Sequence, residues 1–472
     1  MNFFLIKNKC DLKALKVFQK LTGTNHVKVQ GAESTFTIVN GEGQGGNVAP
    51  RATSAGITEA IERYLQTHPK PVIYNKVNCT CDCFVDDMKM TDLESEGAKA
   101  SGRILTKALD ELALSAHEKK TVQIIVGAKD YIERMTEEVK NNPTKVQNFE
   151  VSVVNAEKYL GMLITSGGMS DQIDANIEAK RKAVAPVAQK IRKLTENPMI
   201  RRIGRLKAAS LLIQAQLIPK LLYGTEAWVN VSKKQFKAME DILRDSISVI
   251  ISIPKTTNYD SMLWEIGNFH VEQWMDLMKI QYFNKKMNLK KTGRFYTAMR
   301  EEMIQEIPGG FCDDVKNLCE KYDIPNVMLN YLRPDDISET VKEFSKDRIC
   351  HETLLRKSIP VIANTRKVVH AHHMFTTMEA RAITCFNTGN LVFKNINSWS
   401  MPPKHQGDKW CLFRQCDGVD SYYHARWECQ WYDTKYQDLG DPVADNAKFI
   451  VGLDKERKKR WGVPLIVVGG YL

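Results

Sequence analysis

Nowhere in the 472 residues does an apolar run approach the roughly 18 residues needed to cross a bilayer. The apolar opening Met1-Asn2-Phe3-Phe4-Leu5-Ile6 is too short for a secretory signal. Both absences argue against the membrane and secreted classes and leave the nucleus or cytoplasm. A disulfide framework is missing too. The 11 cysteines are odd in number and scattered, which suits a reducing compartment where some thiols stay free and some bind metal. There is no low-complexity tract and no fixed-period repeat. Acidic residues are in deficit, 56 against 67 basic ones, for a net charge of +11. What is present is a globular composition, 43% apolar and 26% charged, over a length that suits roughly three domains of about 150 residues.

The first 155 residues mix strand and helix signals without regular βαβ alternation, which reads as α+β. Helical spacing covers 13–20, 53–66 and 94–114, and β-rich runs cover 34–40 and 121–127. The stretch 71–90 alternates in its second half and reads as two strands around a turn near Asp86 and Asp87. Beyond about residue 170 the apolar spacing becomes helical, through Ile173, Ile177, Val184, Val187, Ile191 and Leu194. Pro186 is expected to kink or interrupt that helix. Residues 206–223 read as a more buried helix, 255–400 as mostly helical, and 402–408 as a polar linker.

Phe84-Val85-Asp86-Asp87 sets two adjacent carboxylates at the tip of an apolar strand. Neighbouring acids repel, so they need solvent or a divalent cation; an Asp-Asp turn in water is the common outcome, and Mg²⁺ binding in a nucleotidyl-transfer site is the other. Four further segments bear on the choice. Upstream lies Gly41-Glu42-Gly43-Gln44-Gly45-Gly46-Asn47-Val48-Ala49-Pro50, and downstream Leu114-Ser115-Ala116-His117-Glu118-Lys119-Lys120 before a strand. Then come Glu157-Lys158-Tyr159-Leu160-Gly161 and Leu221-Leu222-Tyr223-Gly224-Thr225-Glu226-Ala227-Trp228.

In this order the segments resemble a reverse transcriptase of the non-LTR retrotransposon type, over about residues 12–270. The resemblance implies an incomplete right-hand polymerase palm at 1–155, a helical thumb at 156–255 and a helical connector at 256–405. It implies RNA-templated DNA synthesis from deoxynucleoside triphosphates on a DNA primer or target, with two Mg²⁺ ions. Asp86 and Asp87 match the paired catalytic aspartates, and Lys120 the lysine that approaches the leaving pyrophosphate. Gln44 and Gly45 match the segment beside the incoming nucleotide and template. Tyr159, Leu160 and Gly161 match the hairpin that grips the primer end. Singly, each also fits an ordinary loop, solvated charge or strand end.

The departures count equally. The family's third carboxylate comes from a strand well before the Gln-Gly segment, yet only Asp11 is acidic before Glu33. The fingers with their basic residues are missing, and Gly43, Asn47, Ala49 and His117 stand where the family has other residues. A two-metal site short of one bridging carboxylate loses most of its metal affinity. The expectation is therefore a truncated or decayed copy, inactive by itself, with a sheet edge and apolar surface left uncovered.

Residues 180–207 hold ten basic residues (Lys180, Arg181, Lys182, Lys190, Arg192, Lys193, Arg201, Arg202, Arg205 and Lys207) against one acid, Glu196. The apolar stripe of the preceding helix is expected to leave these charges exposed. Such a face either solubilises or tracks nucleic-acid phosphates, and the thumb resemblance favours phosphates.

Cys411, Cys416, His424 and Cys429 follow a Cys-x4-Cys-x7-His-x4-Cys spacing, a donor set that suits a closed, structural tetrahedral Zn²⁺ site at 408–432. Non-LTR elements carry a similar CCHC knuckle after the connector. Cys79, Cys81 and Cys83, two apart, read instead as small apolar strand residues. In the basic tail 433–472, two short runs (434–439 and 463–470) resemble pieces of a retroelement C-terminal region. Lys455–Arg460 suits either a nuclear import signal or a solvated helix end. Two other readings stay open: a catalytically inactive nucleic-acid-binding remnant and a zinc-dependent interaction protein.

Overall fold

The computed structural model describes residues 25–28, 35–38, 57, 60–84, 87–112, 114–197, 205–255, 257–288, 293–325, 332–354, 385, 412 and 442–461. The expected helix at 13–20 and the linker at 402–408 lie outside them. The chain is α+β and mostly helical, and it divides into two compact units. The first comprises residues 1–172 and 292–304, the second 173–291 and 305–472.

In the first unit every described sheet has two strands. β1 (Asn25–Lys28) pairs with β2 (Thr35–Ile38), and β3 (Ile73–Tyr74) with β4 (Val77–Asn78). The β3–β4 turn places Asn75 and Lys76 at φ 46° and 63°, the left-handed pair that a two-residue hairpin requires. β5 (Cys81–Phe84) and β6 (Asp87–Met90) are antiparallel, with Phe84 opposite Asp87 and Cys81 opposite Met90. Two strands were expected here, but Asp87 opens β6 instead of lying in the turn.

Helix α1 (Ser95–Glu111) follows, and it buries Ala100, Ile104, Leu105, Ala108 and Leu109 along one face. Ala108 closes a core with Ile57, Ile61, Leu65 and Cys81. Leu105 and Leu109 meet Val146 and Val151 in a second core.

One of the described sheets is parallel. β7 (Val122–Gln123) and β10 (Ser152–Val153) are parallel. Helix α2 (Lys129–Asn141) lies between them in sequence and provides the crossover that a parallel pair needs. The hairpin of β8 (Lys145–Val146) and β9 (Phe149–Glu150) occupies the same interval. β11 (Ala156–Tyr159) and β12 (Met162–Thr165) form the last hairpin.

The second unit is helical. α3 (Met169–Thr195), which begins in the first unit, contains Pro186 and is not interrupted there; of the expected kink or interruption, the interruption is absent. Pro186 is exposed. The carbonyl four residues before it, deprived of its N–H partner, can therefore be hydrated. α4 (Arg205–Leu212) leads into a π turn (Ile213–Leu217) and α5 (Ile218–Leu222). The π turn ends two residues before Pro219, which has no N–H to continue the α ladder. α6 (Lys233–Ile251) starts with a Ser232/Gln235 capping box, and α7 (Tyr259–Ile266) starts on an Asn258 cap.

α8 (Val271–Asn288) is the central element. It is buried all round, at Met275, Leu277, Ile280, Phe283 and Met287, and also at Gln273, Asp276, Lys279 and Asn284. Buried positions spread around a helix suit the inside of a bundle, and α8 packs on α6, on α10 (Phe311–Lys321) and on α11 (Pro334–Leu354). α9 (Arg294–Gln305) lies between α8 and α10 in sequence, yet its residues through Ile304 belong to the first unit. There Asn75 Nδ2 donates to Ala298 O at 3.2 Å, and Arg294 donates to Cys81 O at 2.7 Å.

α12 (Pro442–Trp461) contains the basic run 455–460. Lys458 pairs with Asp454 at 2.7 Å and Arg460 with Glu456 at 2.9 Å, while Arg457 is fully buried. Among the described residues no helix is long and apolar enough to cross a membrane.

Candidate nucleic-acid interface

The buried positions of α3 are Ile173, Asn176, Ile177, Lys180, Val184, Ala188, Ile191 and Thr195. Steps of three and four residues make this one stripe. The opposite side carries Arg181, Lys182, Lys190 and Lys193, all exposed, with Arg192 half-buried beside them. Arg181 and Lys182 sit 3.5 and 3.7 Å from Glu178, and Arg192 sits 3.4 Å from Glu196. Exposed pairs of this kind are worth little, about 0.3–0.5 kcal/mol on a helix, so a phosphate displaces them cheaply.

Lys180 corrects the expectation of a uniformly exposed basic run. It is 7% exposed and lies on the apolar stripe, three residues after Ile177 and four before Val184. Its Nζ donates to Tyr223 O at 2.6 Å and lies 5.6 Å from the centre of the Trp228 ring. Burial lowers its pKa to about 8, against a raising pull from the Glu226 charge. Lys180 is therefore engaged in packing, on Tyr223 O and the Trp228 ring.

Its partner segment is Tyr223–Trp228, one of those that carried the resemblance. Gly224 adopts φ 77°, which ends α5 and turns the chain into the short helical turn Thr225–Ala227. From the other end, Lys279 of α8 donates to Trp228 O at 2.5 Å and pairs with Asp314 of α10. Two buried lysines thus grip the two ends of a six-residue segment. Glu226 Oε2, shielded from solvent, has no hydrogen-bond partner. The composition of the basic segment gives no hint of this clamp. The available signal was the phase of Lys180 against the apolar stripe.

The polymerase-type residues are placed only in part. Asp87 is exposed at the start of β6, and Asp82 on β5 lies 3.5 Å from Arg294. Lys120 ends the exposed helical turn Glu118–Lys120. Tyr159, Leu160 and Gly161 lie at the turn of the hairpin β11–β12. Its turn holds Leu160 at φ 47° and Gly161 at φ 84°. Glycine takes that conformation freely, whereas a leucine there costs about 1 kcal/mol or more. The turn is a strained feature of the kind that clusters at functional sites.

Gln44, Gly45, Asp86, Arg201, Arg202, Cys411, Cys416, His424 and Cys429 lie outside the described residues, as does the side chain of Arg205. Among the described residues no group of three or more His, Cys, Asp or Glu side chains is arranged to hold a metal ion. Of the two paired aspartates, Asp87 lies among the described residues.

One buried cluster has the composition of a hydrolytic triad but not its geometry. His68 Nε2 lies 3.1 Å from Asp92 Oδ1 and 3.3 Å from Ser101 Oγ, while the Lys70 N–H donates to Nδ1 at 3.3 Å. A nucleophilic relay needs the imidazole to bridge, one nitrogen to serine and the other to the carboxylate. Here one nitrogen meets both, and the His68 side chain has no exposure. The trio is a packing knot beneath α1, where burial raises the Asp92 pKa despite the hydrogen bonds from Ser101 and His68.

A second cluster holds a histidine between two carboxylates. His270 lies 2.9 Å from Asp260 and 3.3 Å from Glu240, with the Tyr259 ring edge-on at 5.3 Å. Burial opposes its charge, but the hydrogen bonds with Asp260 and Glu240 win and raise its pKa to about 9. His270 is an imidazolium at neutral pH and tethers α6 and α7 to the start of α8. No protein-family model matches the chain, and no curated protein matches it.

Proposed function

We propose that this chain binds nucleic acid through the exposed side of α3, as a relative of the non-LTR reverse transcriptases in which backbone binding is the principal activity. The observation that carries the reading is the separation of charge on α3. Its one buried lysine is used in packing, and Arg181, Lys182, Lys190, Arg192 and Lys193 are left toward solvent opposite the apolar stripe. Such a face binds phosphates whatever the sequence, through counterion release. Zn²⁺ on Cys411, Cys416, His424 and Cys429 would add a second, structural contact module.

The test is fluorescence anisotropy of the full chain on labelled RNA and DNA across a salt series. Log affinity should fall with log salt at a slope of about −0.9 per phosphate contacted. A flat salt dependence would leave the zinc-dependent interaction protein as the better reading.

A second reading, RNA-directed DNA synthesis, draws on the Asp87-bearing hairpin and the strained Leu160-Gly161 turn. Primer extension with Mg²⁺ that disappears in Asp87→Asn would establish it.

A further inference from the structure

The run Lys455–Arg460 holds five cations in six residues, with Glu456 its one acid. It forms the last turns of α12, whose inward side changes character along its length. The first part is apolar: Phe449 and Ile450 have no exposure, and Leu453 is 3% exposed. The stripe then continues through Asp454 and Arg457, at 2% and 0%. Steps of three and four residues put all five on one side of the helix.

A buried charge costs desolvation even when it is paired, and a well-packed apolar residue in its place is often as stable or more so. The charged end of α12 is therefore held less firmly than the apolar turns before it. Gly452 falls between the Phe449-Ile450 pair and the charged stretch. A glycine inside a helix weakens it, because the freest backbone must be fixed. As a helix the run spans about 9 Å. It faces Arg457 inward and turns Lys455, Lys458, Lys459 and Arg460 outward. Extended, the same six residues span about 20 Å and offer every cation.

We infer that the end of α12 is a concealed nuclear import signal. It undocks at Gly452 and presents Lys455–Arg460 as an extended basic peptide to the acidic groove of an import receptor. Lysine- and arginine-rich segments of this length are the form such signals take. Capture of an extended peptide is a general mode of recognition, and complementary charge gives it specificity. Without a receptor, cations in the last turn suit the helix carbonyls, and Lys458 is held by Asp454 at 2.7 Å. An acidic groove offers more negative charge than either. The signal is independent of the binding face of α3.

The experiment compares four forms of the full chain: wild type, G452A, G452P and G452P/K458A/K459A/R460A. The first three leave the run itself intact. One readout is the rate of trypsin cleavage within 455–460 of the purified chain. The other is the initial rate at which fluorescently labelled chain enters the nuclei of permeabilised cells supplied with cytosol.

G452A strengthens the helix enough for about a fivefold shift toward the docked form, and should slow both rates to that extent. G452P breaks the helix at this point and should raise both rates by about fivefold or more. The triple alanine form should lose the gain in nuclear entry. Equal cleavage of wild type, G452A and G452P would overturn the releasable end. Faster cleavage of G452P without faster entry would overturn the import signal, and a matching gain in affinity for a DNA duplex would assign the run to nucleic acid instead. Entry of the triple alanine form at the G452P rate would overturn it as well. Should G452P fail to fold, G452A against wild type decides alone, and equal entry rates refute the proposal.

Discussion

The two units bury polarity on different scales. The first buries one polar knot, His68 with Asp92 and Ser101, and is otherwise assembled from short hairpins around two small cores. It leaves Ile73, Tyr74, Leu93 and Val126 exposed. The second drives charged groups into its interior and satisfies them there. Lys279 holds Trp228 O and Asp314, Asp276 accepts from Lys321 and Tyr322 at 2.8 and 2.7 Å, and Asn284 exchanges hydrogen bonds with Leu332. All three buried residues belong to α8. A charge inside a protein is tolerated only with a fixed partner, so each of these contacts also fixes the position of a neighbouring segment. The second unit is thereby more tightly specified, and the first depends on turn geometry.

The largest expected effect tests this directly. Asp314→Ala strips the carboxylate from buried Lys279, and should destabilise the second unit by about 3 kcal/mol while the first unit melts unchanged. Calorimetry with two resolvable transitions checks it; a shift in both would show that the units unfold as one. Leu217→Ala should lower the same transition by about 2–5 kcal/mol, and Ile61→Ala should lower only that of the first unit, since both side chains are almost fully buried.

Titration sharpens the comparison further. The His270 pKa rises from 6.5 to about 9 on folding. Its stabilisation is therefore complete below pH 6.5 and lost as pH rises through 9, up to about 3 kcal/mol in all. Lys180 runs the other way. Its pKa falls from 10.5 to about 8, so stability increases as pH rises from 8 to 10.5. His270→Gln should flatten the first dependence and Lys180→Met the second, read as the difference in denaturant midpoint from wild type at each pH.

The smallest effect should come from R181A/K182A, which breaks only exposed pairs with Glu178. Its melting should stay within about 0.5 kcal/mol of wild type even where nucleic-acid binding is weakened.

Much of the local structure was legible from residue pattern. The helix read at 94–114 is α1, the two strands flanking the Asp-Asp segment are β5 and β6, and the helical spacing from residue 170 is α3. Those signals are periodicities, which a sequence displays directly. What escaped depended on tertiary context. Lys180 was grouped with its charged neighbours because composition ignores helical phase. The clamp from Lys279 needs two segments about 50 residues apart to meet. The parallel β7–β10 pair depends on a crossover that strand propensity does not reveal. Of the candidate polymerase residues, the order along the chain was readable, but their spatial relation is not a property of spacing.

The return of α9 to the first unit carries a topological consequence. The chain leaves that unit after residue 172, builds more than a hundred residues of the second, and comes back for 292–304 before departing again. No single cut separates the two bodies. A fragment ending at residue 172 would lose the helix that holds the β3–β4 turn and the start of β5, along with the Lys76–Glu301 pair. The first unit is thus discontinuous in the gene but continuous in space. Its folding during synthesis must wait until α9 has been made, and residues 173–291 of the second unit are made before the first is whole.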